Sequence, residues 1–127
     1  MKQELAPCPR RMNCVSSRSD AAERHRIAPL AVTGDAQTTF SSLRSLLENW
    51  QRTRIVTASC DYLHAECRSR LGFVDDVEFQ LCPDDNVIHV RACARFGYTD
   101  LGVNRERIEK LRGLLENGML DCTRPDK

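Results

Sequence analysis

No stretch of this sequence approaches the ~18 consecutive apolar residues that a membrane-crossing helix requires. Nor does the opening MKQELAPC hold an apolar run that could serve as the core of a secretory signal. As written, the chain reads as cytoplasmic and carries no transmembrane segment. Charge of one sign is also lacking: 19 basic and 18 acidic residues leave a formal charge of +1. No broad field therefore exists to recruit nucleic acid or an anionic membrane, and no nucleic-acid partner is expected. No Walker-type or dinucleotide glycine fingerprint is present, and there is neither an internal repeat nor a low-complexity tract.

Cysteine, by contrast, is abundant. Seven of them in 127 residues cannot all pair within the molecule, and the missing export signal favours free thiols acting as small buried hydrophobes. With 41 % hydrophobic residues, the length suits one domain with its own core.

Residues 1–34 contain Pro7, Pro9, Pro29, Gly34 and a charged run from Arg18 to Arg26 without sustained periodicity. They read as an irregular N-terminal arm, anchored at its end by Ile27, Leu30 and Val32. Asp35 can cap a helix over about 36–51, whose stripe is Phe40, Leu43, Leu47 and Trp50. RIVTAS (54–59) and YLHAECRSR (62–70) form a hairpin about a turn at Cys60-Asp61. GFVDDVEFQL (72–81) and NVIHVRACARF (86–96) form a second hairpin about Pro83, Asp84, Asp85 and Asn86. The last segment, VNRERIEKLRGLLENG, predicts a helix with Asn104 as N-cap, a Val103/Ile108 staple, the stripe Ile108, Leu111, Leu114 and Leu115, and a stop at Gly118.

The fold class that follows is α+β: a four-stranded antiparallel curved sheet, built from two hairpins, with two helices packed on one face. The arm covers 1–34, the α+β domain 35–120 and a flexible tail 121–127, a single domain overall.

Two adjacent acids at the centre of a strand pose the sharpest question. Neighbouring strand positions face opposite sides, so one of Asp75 and Asp76 must point toward the core. Placing Leu81 opposite Ile88 puts Phe79 by Val90, Val77 by Ala92, Asp75 by Ala94 and Phe73 by Phe96, a face apolar but for Asp75. On the other face Glu78 meets Arg91, Asp76 lies near Arg95, and Gln80 meets His89. Asp76 belongs to a solvated charge ladder. A core-facing carboxylate, however, needs hydrogen bonds or a cation. Asp75 could take them from backbone amides of the arm or of loop 97–102, or form the floor of a pocket between sheet and helices; a β-bulge would instead turn it outward.

GFVDDVEF, VRACARFGYTDLGVNRERIEKLR (90–112), PCPRRMNCVSS (7–17) and IAPL (27–30) together resemble the family called domain of unknown function 1499, found in bacteria and plant plastids. The resemblance runs from Pro7 to about Leu115 and implies no established activity. It implies that relatives are often exported or membrane-tethered through an added N-terminal segment. Where relatives tend to carry serines in an RSASR-like stretch, this chain reads Arg91-Ala92-Cys93-Ala94-Arg95.

Three functional readings compete. The first is a noncatalytic module that binds a small ligand or protein partner between sheet and helices, with no cofactor, through Asp75, Arg91, Arg95, Tyr98, Asp100, Asn104 and Arg107. In it, loop 96–104 with Gly97 and Gly102, followed by a helix N-terminus, is a candidate holder of a carboxylate or phosphate. The second is a cysteine-based metal or redox protein using Cys8 and Cys14, with Cys93 as a further thiol. That pair could close a disulfide, stay reduced or offer two thiolate ligands. His64, His89 and Cys93 share one predicted sheet face, which could also be a scatter of polar residues. The third is a hydrolase using Asp75, for which no nucleophile and base pair is identifiable, so the enzyme reading is the weakest.

Overall fold

A computed structural model of the chain describes residues 5–9, 13–18, 21–97 and 102–120, the last three of these as backbone only. Its architecture is α+β, two helices against an antiparallel sheet. The strands are β1 (Cys14–Ser16), β2 (Leu30–Ala31), β3 (Thr53–Ala58), β4 (Tyr62–Arg68), β5 (Val74–Cys82) and β6 (Val87–Ala94); the helices are α1 (Ala36–Glu48) and α2 (Val103–Leu120).

The second hairpin takes the predicted register: Leu81 pairs with Ile88, Phe79 with Val90, Val77 with Ala92 and Asp75 with Ala94. Its corner is a 3-10 turn over Pro83–Asp85 closed by Asn86 in the left-handed region at φ 60°. Asparagine tolerates that region better than most residues, which suits it to the corner. The first hairpin joins on through β4, with Leu63 opposite Phe79 and Ala65 opposite Val77.

The sheet has six strands rather than four, in the order β1-β6-β5-β4-β3, with β2 also on β6. Both extra strands come from the arm, so the arm is not irregular throughout. In β1, Cys14, Val15 and Ser16 pair with Cys93, Ala92 and Arg91; in β2, Leu30 and Ala31 pair with Ile88 and Val87. The reason is the free edge of β6. Its outward N–H and C=O groups need partners, and the arm brings them. The tail 121–127 lies outside the described residues.

Alternation sorts the sheet into two faces. The inner one carries Val15, Leu30, Leu63, Val77, Phe79, Leu81, Ile88, Val90 and Ala92, and the helices cover it with Phe40, Leu43, Leu47, Ile108, Leu111 and Leu115, all in one buried cluster. Ile27 and Val32 of the arm join that core. Asp35 caps α1 by accepting the amide of Thr38 at 2.8 Å, and this bond holds its carboxyl below the usual carboxylate range.

Helix ends depart from expectation. α1 stops at Glu48, and α2 begins at Val103 and runs past Gly118 to Leu120. Asn104 thus sits inside the first turn of α2 instead of capping it. Val103 stays 44 % exposed and Leu114 39 %, so neither is part of the packed stripe.

Urea unfolding checks the two stabilising elements separately. Leu111→Ala should cost about 2–5 kcal/mol by opening a core cavity. Asp35→Ala should cost about 1 kcal/mol by removing a cap.

Candidate functional site

At one end of the sheet the inner face turns polar. Asp75 lies between Ala94 of β6 and Cys67 of β4. Thr53 of β3 follows beyond Cys67, and the carbonyl of Asn13 takes the amide of Ala94 at 3.0 Å. One row across the sheet therefore reads Asn13, Ala94, Asp75, Cys67, Thr53.

The first turns of α2 close over this row. Arg107 Nη1 donates to Asp75 Oδ2 at 2.9 Å, and the two side chains are 15 % and 14 % exposed. The same nitrogen donates to Asn104 Oδ1. Asn104 Nδ2 reaches the Asn13 carbonyl at 3.5 Å, and Asn13 Nδ2 donates to the Gly97 carbonyl at 2.7 Å. Both asparagines are fully buried. The core-facing carboxylate is thus matched by a guanidinium delivered from the helix; no described backbone amide bonds it. Residues three apart on a helix share a face, which is how Asn104 and Arg107 both reach down here.

Four large apolar side chains are exposed around this end: Leu71 (84 %), Phe73 (58 %), Phe96 (71 %) and Val103 (44 %). Phe73 and Phe96, expected on the greasy face, lie beyond the last paired residues of β5 and β6, where the helices no longer cover them.

The two faces separate the predicted site residues. Asp75, Asn104 and Arg107 converge on the inner face. Arg91 and Arg95 lie on the outer one: Arg91 Nη1 donates to Glu78 at 3.1 Å, and Arg95 bridges Asp76 at 2.8 Å and Glu66 at 2.6 Å. Tyr98 and Asp100 lie outside the described residues. His64 bonds Asp76 at 2.8 Å and His89 bonds Ser17 at 2.9 Å, so the two histidines are engaged separately. Cys93 points its sulfur toward Asn13 Oδ1 at 3.9 Å. Among the described residues no cluster of three or more His, Cys, Asp or Glu is arranged to hold a metal ion.

Burial sets the chemistry available. It pushes the Cys67 thiol up, and the Arg107 charge and the Thr53 hydroxyl offset this only in part, so Cys67 stays a neutral thiol. Burial and the hydrogen bond to Glu78 likewise raise Tyr62. On the outer face, burial raises Asp76, but hydrogen bonds from Arg95 and His64 outweigh it and hold the carboxyl below its ordinary value. Hydrogen bonds from Arg95 and Arg54 hold Glu66 low too. Nothing in this set pairs a nucleophile with a free base.

Cys8 and Cys14 are joined by a disulfide, Cα atoms 5.7 Å apart; in that state neither offers a thiolate. Asn13, Thr53 and Cys67 escaped sequence reasoning, because their meeting with Asp75 depends on strand pairings between distant segments.

Residues 4–115 match the family model described as Protein of unknown function (DUF1499). The chain belongs to this family. No curated protein and no solved structure matches it. Three of the stretches that carry the likeness, those holding Asn13, Asp75 and Asn104 with Arg107, meet at the polar row.

Two measurements probe these networks. Arg107→Leu should cost about 1–3 kcal/mol, between the values for exposed and fully buried pairs. In a double-mutant cycle, Asp75→Leu beside Arg107→Leu should recover much of that loss; simple additivity would mean that the pair is not coupled. Because Asp76 and Glu66 have folded pKa values below their unfolded ones, their stabilisation is present above the unfolded carboxylate range near pH ~4 and is lost as pH falls through the folded values. Urea midpoints should therefore drop on acidification below that range, and Arg95→Ala should flatten the drop.

Proposed function

We propose that the protein is a noncatalytic binding module whose ligand or partner docks at the end of the sheet over Asp75, Asn104 and Arg107. One observation carries this reading: Leu71, Phe73, Phe96 and Val103, all exposed, belong to the segments that flank a polar cluster which is itself internally matched. Apolar surface with a few fixed polar groups is the usual make-up of a binding site. Clustered exposed aromatic and aliphatic side chains cost solubility unless something covers them. A site of this kind holds a ligand without turning it over, since its carboxylate is engaged by Arg107 and its thiol is kept neutral.

The thiol reading is narrower. The Cys8–Cys14 disulfide favours a structural staple over a metal ligand pair, and such bonds persist in oxidising compartments. It therefore favours an exported location over the cytoplasmic one.

Native mass spectrometry of freshly purified protein, together with fluorescence of the apolar probe anilinonaphthalene sulfonate, tests the module. The wild type should carry an adduct or bind the probe in its folded state. Phe73→Ser with Phe96→Ser should abolish that at little cost in thermal stability, because both residues are mostly exposed, 58 % and 71 %. A bare mass with no probe binding by the folded wild type would overturn the reading.

A further inference from the structure

Away from that end, the N-terminal segment crosses the outer side of the sheet. Arg91 Nη2 donates to the Pro7 carbonyl at 3.4 Å, Arg18 donates to the Leu5 carbonyl, and Leu5 is buried though it lies outside the main core. The disulfide to Cys14 holds the segment there. Between it, the end of β1 and the 3-10 turn Glu23–His25 lies a cavity of about 220 Å³ whose lining includes Cys8, Ser16, Arg18, Arg24 and His25.

His25 is 4 % exposed. Its Nδ1 sits 2.9 Å from the carbonyl of Cys14. A carbonyl can only accept, so Nδ1 carries a proton. Nε2 is then left buried with no partner among the described residues, although buried polar atoms are almost always satisfied. The other polar side chains lining the space can all donate hydrogen bonds. Arg24 makes no side-chain hydrogen bond or ion pair among the described residues, and Arg18 brings a second guanidinium. The Ser16 hydroxyl accepts the amide of Arg18 at 3.1 Å, which leaves its own proton to donate. Among the described residues no carboxylate lines the cavity.

From this we infer that the arm cavity binds a small oxyanion, a phosphate or the carboxylate of a short acid, between Arg24, Arg18, Ser16 and His25. Guanidinium groups match both kinds of oxyanion by paired N–H donors. The unpartnered Nε2 is satisfied in either protonation state: protonated, it donates to the anion; neutral, it accepts from a hydrogen phosphate or a ligand hydroxyl. The volume lies below that of ordinary drug-sized pockets, which restricts the occupant to a phosphate or a molecule of a few carbons. This site stands apart from the sheet-end surface and does not depend on it.

Titration of the ¹⁵N-labelled full chain with inorganic phosphate, acetate and citrate, against chloride at matched ionic strength, tests the inference. At least one oxyanion should give saturable shifts at Ser16, Arg24 and His25, and chloride should give none. Phosphate alone saturating assigns a phosphate ligand; acetate or citrate alone assigns a carboxylate. Arg24→Ser removes a side chain that bonds nothing described, so the fold should be untouched while affinity falls at least tenfold; His25→Gln should fall at least as far. Absence of saturation by every oxyanion up to ~10 mM, or an Arg24→Ser affinity equal to wild type, overturns it.

Discussion

The backbone pairing along the outer edge of β6 is the constraint on which the rest of the molecule depends. Two hairpins alone would leave that edge open, with its N–H and C=O groups presented to any other chain. β1 and β2 occupy it, three residues and two residues long, and they fix the position of the residues next to them. Asn13 is thereby set beside Ala94, within reach of Asn104. Cys14 is set where its carbonyl meets His25. The sheet-end cluster and the arm cavity thus lie at the two flanks of one short strand.

Charge is distributed by the same geometry. An acid on the core face would cost several kcal/mol if left bare, and hydrophobic packing around it could not offset that. The structure meets the demand from across the layer. Arg107, one turn into α2, brings its guanidinium to Asp75, while Asn104 accepts from the same group. Asp76, one position along, faces the other way into a ladder in which Arg95 spans two carboxylates. Adjacent acids therefore receive separate arginines on separate faces, which is why a strand can hold them side by side.

The parts legible in the sequence are those fixed by local rules. A tight corner at Pro83–Asn86 and strict alternation on both sides leave one register that buries Phe79, Val90, Leu81 and Ile88 together, and that register is the one observed. The α1 cap and stripe follow from the same kind of short-range pattern. Strands of two and three residues carry no period to read, so β1 and β2 were invisible inside the arm. Phe73 and Phe96 looked internal because alternation places them on the greasy face, but alternation says nothing about where the helices stop covering it. Arg91 and Arg95 fall on the face opposite Asp75 by alternation alone, in a register that the observed pairing keeps, so a single site that joins them with Asp75 is at odds with the sequence's own pattern. His25 offered no signal at all: its meaning comes from a carbonyl eleven residues away in sequence and from an arm folded back across the sheet.

The disulfide ties these observations together through position more than through stability. It closes a loop of only six residues' separation, for which the chain-entropy model gives about 2 kcal/mol, less than for longer loops. A comparable contribution could come from one well-buried leucine. What packing could not supply is the fixed path of residues 5–9 over the outer face, where the segment buries few apolar groups. Pro7 and Pro9 stiffen that path, and Arg91 and Arg18 take carbonyls from it, yet each such bond competes with water and is weak alone. A covalent tie at Cys8 removes that competition at one point, and the weak bonds then act together. The cavity beside His25 exists only while the segment stays in place, so the cross-link governs the shape of the cavity far more than it governs the folding of the sheet beneath it.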